Sequence, residues 1–184
     1  MMSSIFARAI FYPSLAYNVL MEKISSRDWY NHVEPKLILG ALPLRWMCQE
    51  LVEQEKVKAV VSLNEDYELR YLTLQPEEWK AVGVDYLHFN VVDMFEAPSQ
   101  EILTQGVDFM NRHIDEGNVV YVHCKAGRSR SATLVGCYLM KKHNWTPDSA
   151  IQHLRSVRPH VIFTQGKLDA LKTFYQTQVS QSGS

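Results

Sequence analysis

The stretch that most constrains this chain is Val119–Ser131, reading Val-Val-Tyr-Val-His-Cys-Lys-Ala-Gly-Arg-Ser-Arg-Ser. Val119 to Val122 are apolar or aromatic and predict a buried strand. His123, Cys124, Gly127, Arg130 and Ser131 follow in quick succession, and an apolar helical pattern begins at once. A strand that runs through a small-residue loop into a helix builds an anion site. Loop amides turn inward as a nest, and the helix points its positive end at the same spot. Cys124 sits where the strand ends and that field begins. Such a field favours thiolate, the nucleophilic form. Arg130, six residues on, can fold back to offer a planar fork to two oxygens of one phosphate. The competing reading makes Cys124 a core cysteine and Arg128 and Arg130 surface charges. It is disfavoured because a core strand seldom runs into three cations and a glycine.

Composition narrows the setting. The 184 residues suit one domain with a short appendage, and 46% hydrophobic content suffices for a core. A net charge of −1 argues against a nucleic-acid partner, so the cations Lys125, Arg128 and Arg130 form a local anion site. Cys48, Cys124 and Cys137 are scattered, with no metal-ligand spacing and no disulfide framework, which favours a reducing compartment. Cys48 and Cys137 fall in helical patterns and read as small buried hydrophobes. No metal or other cofactor is implied, because cations and amides already neutralise a phosphate.

Strands alternate with helices along the chain, which predicts an α/β fold with a central, largely parallel sheet flanked by helices. Strands are expected at Leu37–Pro43, Val57–Leu63, Val84–Val92 and Val119–Val122. Helices are expected at Leu44–Gln54, Pro76–Val82, from the Ser99 cap to Gly117, Ser131–His143, from the Thr146-Pro147 start to about Arg158, and Leu168 to about Gln178. Arg27–Val33 reads as a connector that opens the domain, and Asn64–Glu68 as a loop. The organisation expected is thus 1–26 as an N-terminal segment, 27–178 as the catalytic domain and 179–184 as a polar tail. Met1–Met21 has no acidic residue, and its longest uncharged run, Ala9–Met21, is 13 residues. That is too short to span a bilayer. An import signal, an interfacial helix and a helix packed on the domain all fit it.

Ligands of such sheets bind at the carboxyl ends of the strands. Three loops end there: Asn64–Glu68, Asp93–Pro98 and Cys124–Arg130. Hydrolysing a phosphomonoester needs a nucleophile, stabilisation of three oxygens and an acid for the leaving group. Cys124 is assigned as nucleophile and Asp93 as general acid. Arg130, with the backbone of Lys125, Ala126, Gly127, Arg128 and Ser129, is assigned to the phosphate oxygens. Ser131 can hydrogen-bond the sulfur and also cap its helix. His123 is expected to orient the loop through hydrogen bonds, its side chain pointing away from Cys124. The acidic run Glu65, Asp66 and Glu68 either shapes substrate recognition, orients the catalytic loop, or is a solvated surface.

The pattern Cys-x5-Arg, with His123 before it, Ser131 after it and Asp93 upstream, resembles a dual-specificity phosphatase of the protein tyrosine phosphatase superfamily. Within it, Asp28-Trp-Tyr30, Leu39–Leu44, Asn64–Glu68, Val92-Asp-Met94 and Ala9–Pro13 resemble the mitochondrial phosphatidylglycerophosphate phosphatases. The resemblance covers nearly the whole chain. It implies a phosphocysteine intermediate, an anionic phospholipid substrate, a membrane surface as partner, a monomer, a step toward cardiolipin, and the matrix side of the mitochondrial inner membrane. It implies supporting roles for His123, Glu65 and Tyr67. Two positions depart from it: Asp66 stands where the family carries Glu, and Lys167 where it tends to carry Gln. The same chemistry would also serve a phosphoprotein phosphatase, and a rhodanese-like sulfur transferase has a cysteine loop of similar size. Arg130-Ser131 and Asp93 argue against the latter.

Overall fold

The computed structural model describes residues 28–92 and 97–180, together with Pro13. The N-terminal segment 1–26 (apart from Pro13), Asp93 and the end of the polar tail lie outside the described residues.

Five strands form one sheet: β1 (Tyr30–Glu34), β2 (Leu37–Gly40), β3 (Val57–Ser62), β4 (Asp85–His88) and β5 (Val119–His123). Their order is β1-β2-β5-β3-β4, with β1 antiparallel to β2 and every other pair parallel. The helices are α1 (Arg45–Glu53), α2 (Asp66–Leu69), α3 (Pro76–Ala81), α4 (Gln100–Asp115), α5 (Arg130–His143), α6 (Pro147–Val157) and α7 (Gln165–Phe174). A π-helical turn at Tyr175–Val179 continues α7.

Alternation along the strands sorts the core into two layers. Ile38, Val60 and Tyr121 pack with Cys48 and Leu51 of α1 and Trp79 of α3. Leu37, Leu39, Ala59, Val61, Val120 and Val122 point the other way, into a larger core with α4 to α7. A sheet covered on both faces reads as nearly continuous hydrophobic strands, which is why β3 and β5 were so visible in the sequence.

Four sequence expectations need correction. Part of the Arg27–Val33 connector is strand: β1 adds to the edge of β2, pairing Tyr30 with Gly40, and only Val33 of it is buried. The Asn64–Glu68 loop contains a helical turn, α2. Glu65 is its N-cap, the Glu65 side chain accepts from the Glu68 amide, and the Glu68 carboxylate takes the Glu65 amide. The strand expected across Val84–Val92 pairs only over Asp85–His88. The last long helix begins at Gln165, three residues before Leu168. Elsewhere local chemistry acts as expected: Ser99 caps α4 through the Ile102 amide, and Thr146 caps α6 through the Ser149 amide.

Candidate active site

The Cys124–Ser129 loop leaves the carboxyl end of β5 and enters α5 directly. Gly127 lies at the bend with φ +62°, and a Cβ there would sit 2.3 Å from the Gly40 carbonyl oxygen. Only glycine fits so close to the end of β2.

Four successive carbonyls of the loop are engaged by the surrounding scaffold. Lys125 O accepts from the Leu42 amide at 3.2 Å, and Arg128 O from the Ile162 amide at 2.8 Å. Between them, the Arg158 guanidinium donates Nη2 to Ala126 O at 3.2 Å and Nε to Gly127 O at 2.9 Å. Across a planar trans peptide the N–H points opposite to the C=O. The amides of Ala126, Gly127, Arg128 and Ser129 therefore turn away from those donors, toward the concave side. A nest needs amides turned in this way, and the clamp on the loop carbonyls includes Arg158, which the sequence did not single out. Arg158 is 2% exposed and also donates to Asp28 O, Trp29 O and Asn31 Oδ1. Burial pushes its pKa down to about 10, so it remains charged at neutral pH.

Cys124 is buried beneath this loop, and Ser131 Oγ donates to Cys124 Sγ at 3.2 Å. Ser131 reaches back because it stands in the first turn of α5, the helix whose positive end faces the loop. Arg130, fully buried, is gripped by both oxygens of Glu68, at 2.8 and 3.2 Å, and donates to Val91 O at 2.8 Å. Glu68 in turn accepts from the Glu65 amide at 2.7 Å and Asn64 Nδ2 at 3.0 Å. The acidic run thus includes the residue that orients Arg130. Its sequence signal was the pairing of Glu65 with Glu68 three positions on, a capping box within a charged stretch.

Glu65 is almost buried and spends its carboxylate on the α2 cap. Tyr67 is half-buried against a small cluster with Leu42, Met47 and Leu69. Both serve the turn that carries Glu68. Val91 O lies two residues before Asp93 in the chain, and Asp93 itself is outside the described residues. His123 is fully buried on the Tyr121 face, ring centroids 5.9 Å apart. Neither ring nitrogen has a partner at regular hydrogen-bond geometry among the described residues, but the Cys124 backbone interacts with the ring, and the His123 carbonyl accepts from the Leu63 amide at 3.0 Å. Burial pushes the His123 pKa down to about 3, which the Cys124 backbone only partly offsets, and the ring is neutral. Lys167 is buried in the first turn of α7. A cleft of about 530 Å³ lined by Asp66, Tyr67, Arg70, Gln75, Tyr86 and His88 adjoins α2 but contains neither Cys124 nor Arg130.

Comparison with known proteins agrees with this geometry. The family model for the dual specificity phosphatase catalytic domain matches residues 39–177. The human phosphatidylglycerophosphatase and protein-tyrosine phosphatase 1 is 43% identical over 173 residues, 92% of this chain and 86% of that protein. The Arabidopsis thaliana phosphatidylglycerophosphate phosphatase PTPMT1 is 40% identical over 175 residues, 94% of this chain and 50% of that protein. The crystal structure of PTPMT1 in complex with PI(5)P superimposes with a TM-score of 0.82 at 41% identity, covering 85% of this chain and all of that one.

Proposed function

The chain belongs to the dual specificity phosphatase family, and on that premise we propose that it removes the terminal phosphate of phosphatidylglycerophosphate to give phosphatidylglycerol. The observation that carries the chemistry is the set of four engaged carbonyls around the loop after Cys124, which turns their partner amides toward one anion site. The lipid substrate is supported by the two curated relatives, both phosphatidylglycerophosphate phosphatases by name, and by the relative solved with PI(5)P.

In this mechanism Cys124 Sγ, as thiolate, attacks phosphorus. The S–P bond forms as the P–O bond to glycerol breaks, and Asp93 gives its proton to the departing oxygen. Arg130 and the amides of Lys125 to Arg130 bear the charge on the three equatorial oxygens, at positions fixed before substrate arrives. Water then attacks the phosphocysteine and Asp93 takes back a proton. Inorganic phosphate forms, and the sulfur leaves as thiolate, stabilised by the Ser131 hydroxyl. His123 stays neutral and takes no proton.

The reading extends to a step toward cardiolipin at the matrix side of the mitochondrial inner membrane, with the chain acting as a monomer on a membrane surface. Residues 1–26 are assigned to import or membrane contact. Among the described residues no helix is long and apolar enough to cross a membrane. Deleting residues 1–26 is expected to leave turnover of soluble substrates intact and to change the subcellular fraction in which the protein is found; unchanged mitochondrial fractionation would remove that role.

A second reading, a protein tyrosine phosphatase, is favoured by the other half of the human relative's name. Initial rates on phosphatidylglycerophosphate in detergent micelles and on phosphotyrosine peptides separate the two. A higher kcat/KM on peptides would overturn the lipid assignment.

A further inference from the structure

Among the described residues, four large hydrophobic side chains are strongly exposed: Trp46 at 67%, Tyr71 at 70%, Ile162 at 55% and Val82 at 45%. Scattered apolar surface residues are ordinary, but the placement of these is not scattered. Val82 ends α3 and precedes β4, at the amino edge of the sheet. The other three lie at the carboxyl edge, the edge that carries Cys124. Ile162 donates its own amide to Arg128 O of the catalytic loop at 2.8 Å. Trp46 stands four residues after Leu42, whose amide holds Lys125 O on the loop's other flank. Tyr71 is tied to the same place, because the Arg45 amide donates to Leu72 O at 2.9 Å. Three exposed apolar residues thus stand on segments tied, directly or through a neighbour, to the Cys124 loop from two sides.

Charge says what covers them. Arg70 lies over the Tyr71 ring at 5.4 Å, which puts a guanidinium beside the aromatic. Lys125 and Arg128 sit half-buried between the two flanks. Acids near this edge are already engaged: Asp66 is turned to Asn90 at 3.4 Å and to His88 at 3.7 Å, Glu78 pairs with Arg45 at 3.0 Å, and Asp28 accepts from Asn31 Nδ2 at 3.0 Å. Trp and Tyr with adjacent cations are the composition of a surface that sits at lipid headgroups: the rings enter the interface while the cations meet anionic phosphates.

We propose that Trp46, Tyr71 and Ile162 form a contact rim that seats the Cys124 mouth on an anionic lipid bilayer. This rests on the lipid reading of the site. It gives the fold its own way of bringing the phosphate of a bilayer-embedded substrate to the loop, with α2 and the Leu42–Trp46 segment at the interface.

The test compares the full chain with the W46S, Y71S double variant. Co-sedimentation with vesicles of phosphatidylglycerol and phosphatidylcholine, without substrate, is expected to show about tenfold weaker binding for the variant. Turnover of the soluble substrate para-nitrophenyl phosphate should remain within about twofold, and kcat/KM on vesicular substrate should fall with the binding. Unchanged vesicle binding overturns the proposal. So does an equal loss on both substrates, which would mean a structural role, or a selective loss on phosphopeptides, which would mean a protein-docking face. Hydrolysis of phosphatidylglycerophosphate in detergent micelles separates the two readings. Absence of that hydrolysis sinks the lipid phosphatase. Normal micellar turnover with unaltered vesicle binding sinks only the rim.

Discussion

Glu68 holds the Arg130 guanidinium with both carboxylate oxygens, at 2.8 and 3.2 Å, where neither side chain meets solvent. The pair fixes the fork that would meet phosphate, and a one-turn helix supplies the carboxylate. Breaking one side of a buried pair leaves an uncompensated charge, at a cost of about 3–5 kcal/mol. Glu68→Ala is therefore expected to lose stability of that order in chemical denaturation and to lower kcat/KM. Glu68→Gln, which keeps one acceptor oxygen, should fall between. Wild-type values for both variants would remove Glu68 from the site.

Ser131 touches Cys124, the proposed nucleophile, through one hydrogen bond of 3.2 Å. If it stabilises the departing thiolate, Ser131→Ala slows the second step and spares the first. A hydrogen bond to a charged group is worth about 10- to 100-fold in rate. Steady-state kcat should fall by that factor, with a burst of the first product equal to the enzyme present. Loss of both the burst and the single-turnover rate would place Ser131 in the first step.

Arg158 serves five acceptors, two of them carbonyls of the Cys124–Ser129 loop. Arg158→Met leaves those carbonyls without their donor, and a loss of about 3 kcal/mol or more is expected. At a temperature where the variant is still folded, inorganic phosphate should inhibit it more weakly, because the nest is no longer held. An unchanged inhibition constant would show that the loop keeps its shape without this clamp.

His123 titrates near 3 when folded against 6.5 in an ordinary setting, and burial is the cause. The unfolded chain therefore binds the proton first as pH falls. Stability from this group is present above about pH 6.5 and is lost as pH drops toward 3. Between pH 7 and 5 the loss is about 2 kcal/mol. Denaturation at the two pH values should show it in the wild type and not in His123→Gln. An identical pH slope in both would assign the acid sensitivity elsewhere.

Much of the architecture was legible because both faces of the sheet are covered. Val57–Ser62 and Val119–His123 read as strands without ambiguity, and Cys124, Arg130 and Ser131 lie in one short segment whose spacing carries its geometry. What escaped notice depends on contacts distant in sequence. Tyr30–Glu34 is an edge strand with one buried residue, so its composition resembles a connector. Glu68 reaches Arg130 across 62 positions, and only the short-range capping box hinted at order in that acidic run. Arg158 stands before Pro159 at the end of a helix and looks like an ordinary terminal cation. Nothing local announces that its guanidinium turns inward to the backbone 31 and 32 positions earlier.

The strand that carries Cys124 is flanked on both edges, by β2 and by β3. Displacing its end means undoing two ladders at once. The slowest-exchanging amides should therefore be those of Val120, Tyr121 and Val122, protected until the whole domain opens. Heat or denaturant would then silence the enzyme in a single event shared with the fold, leaving no interval in which an intact scaffold holds a melted reaction centre.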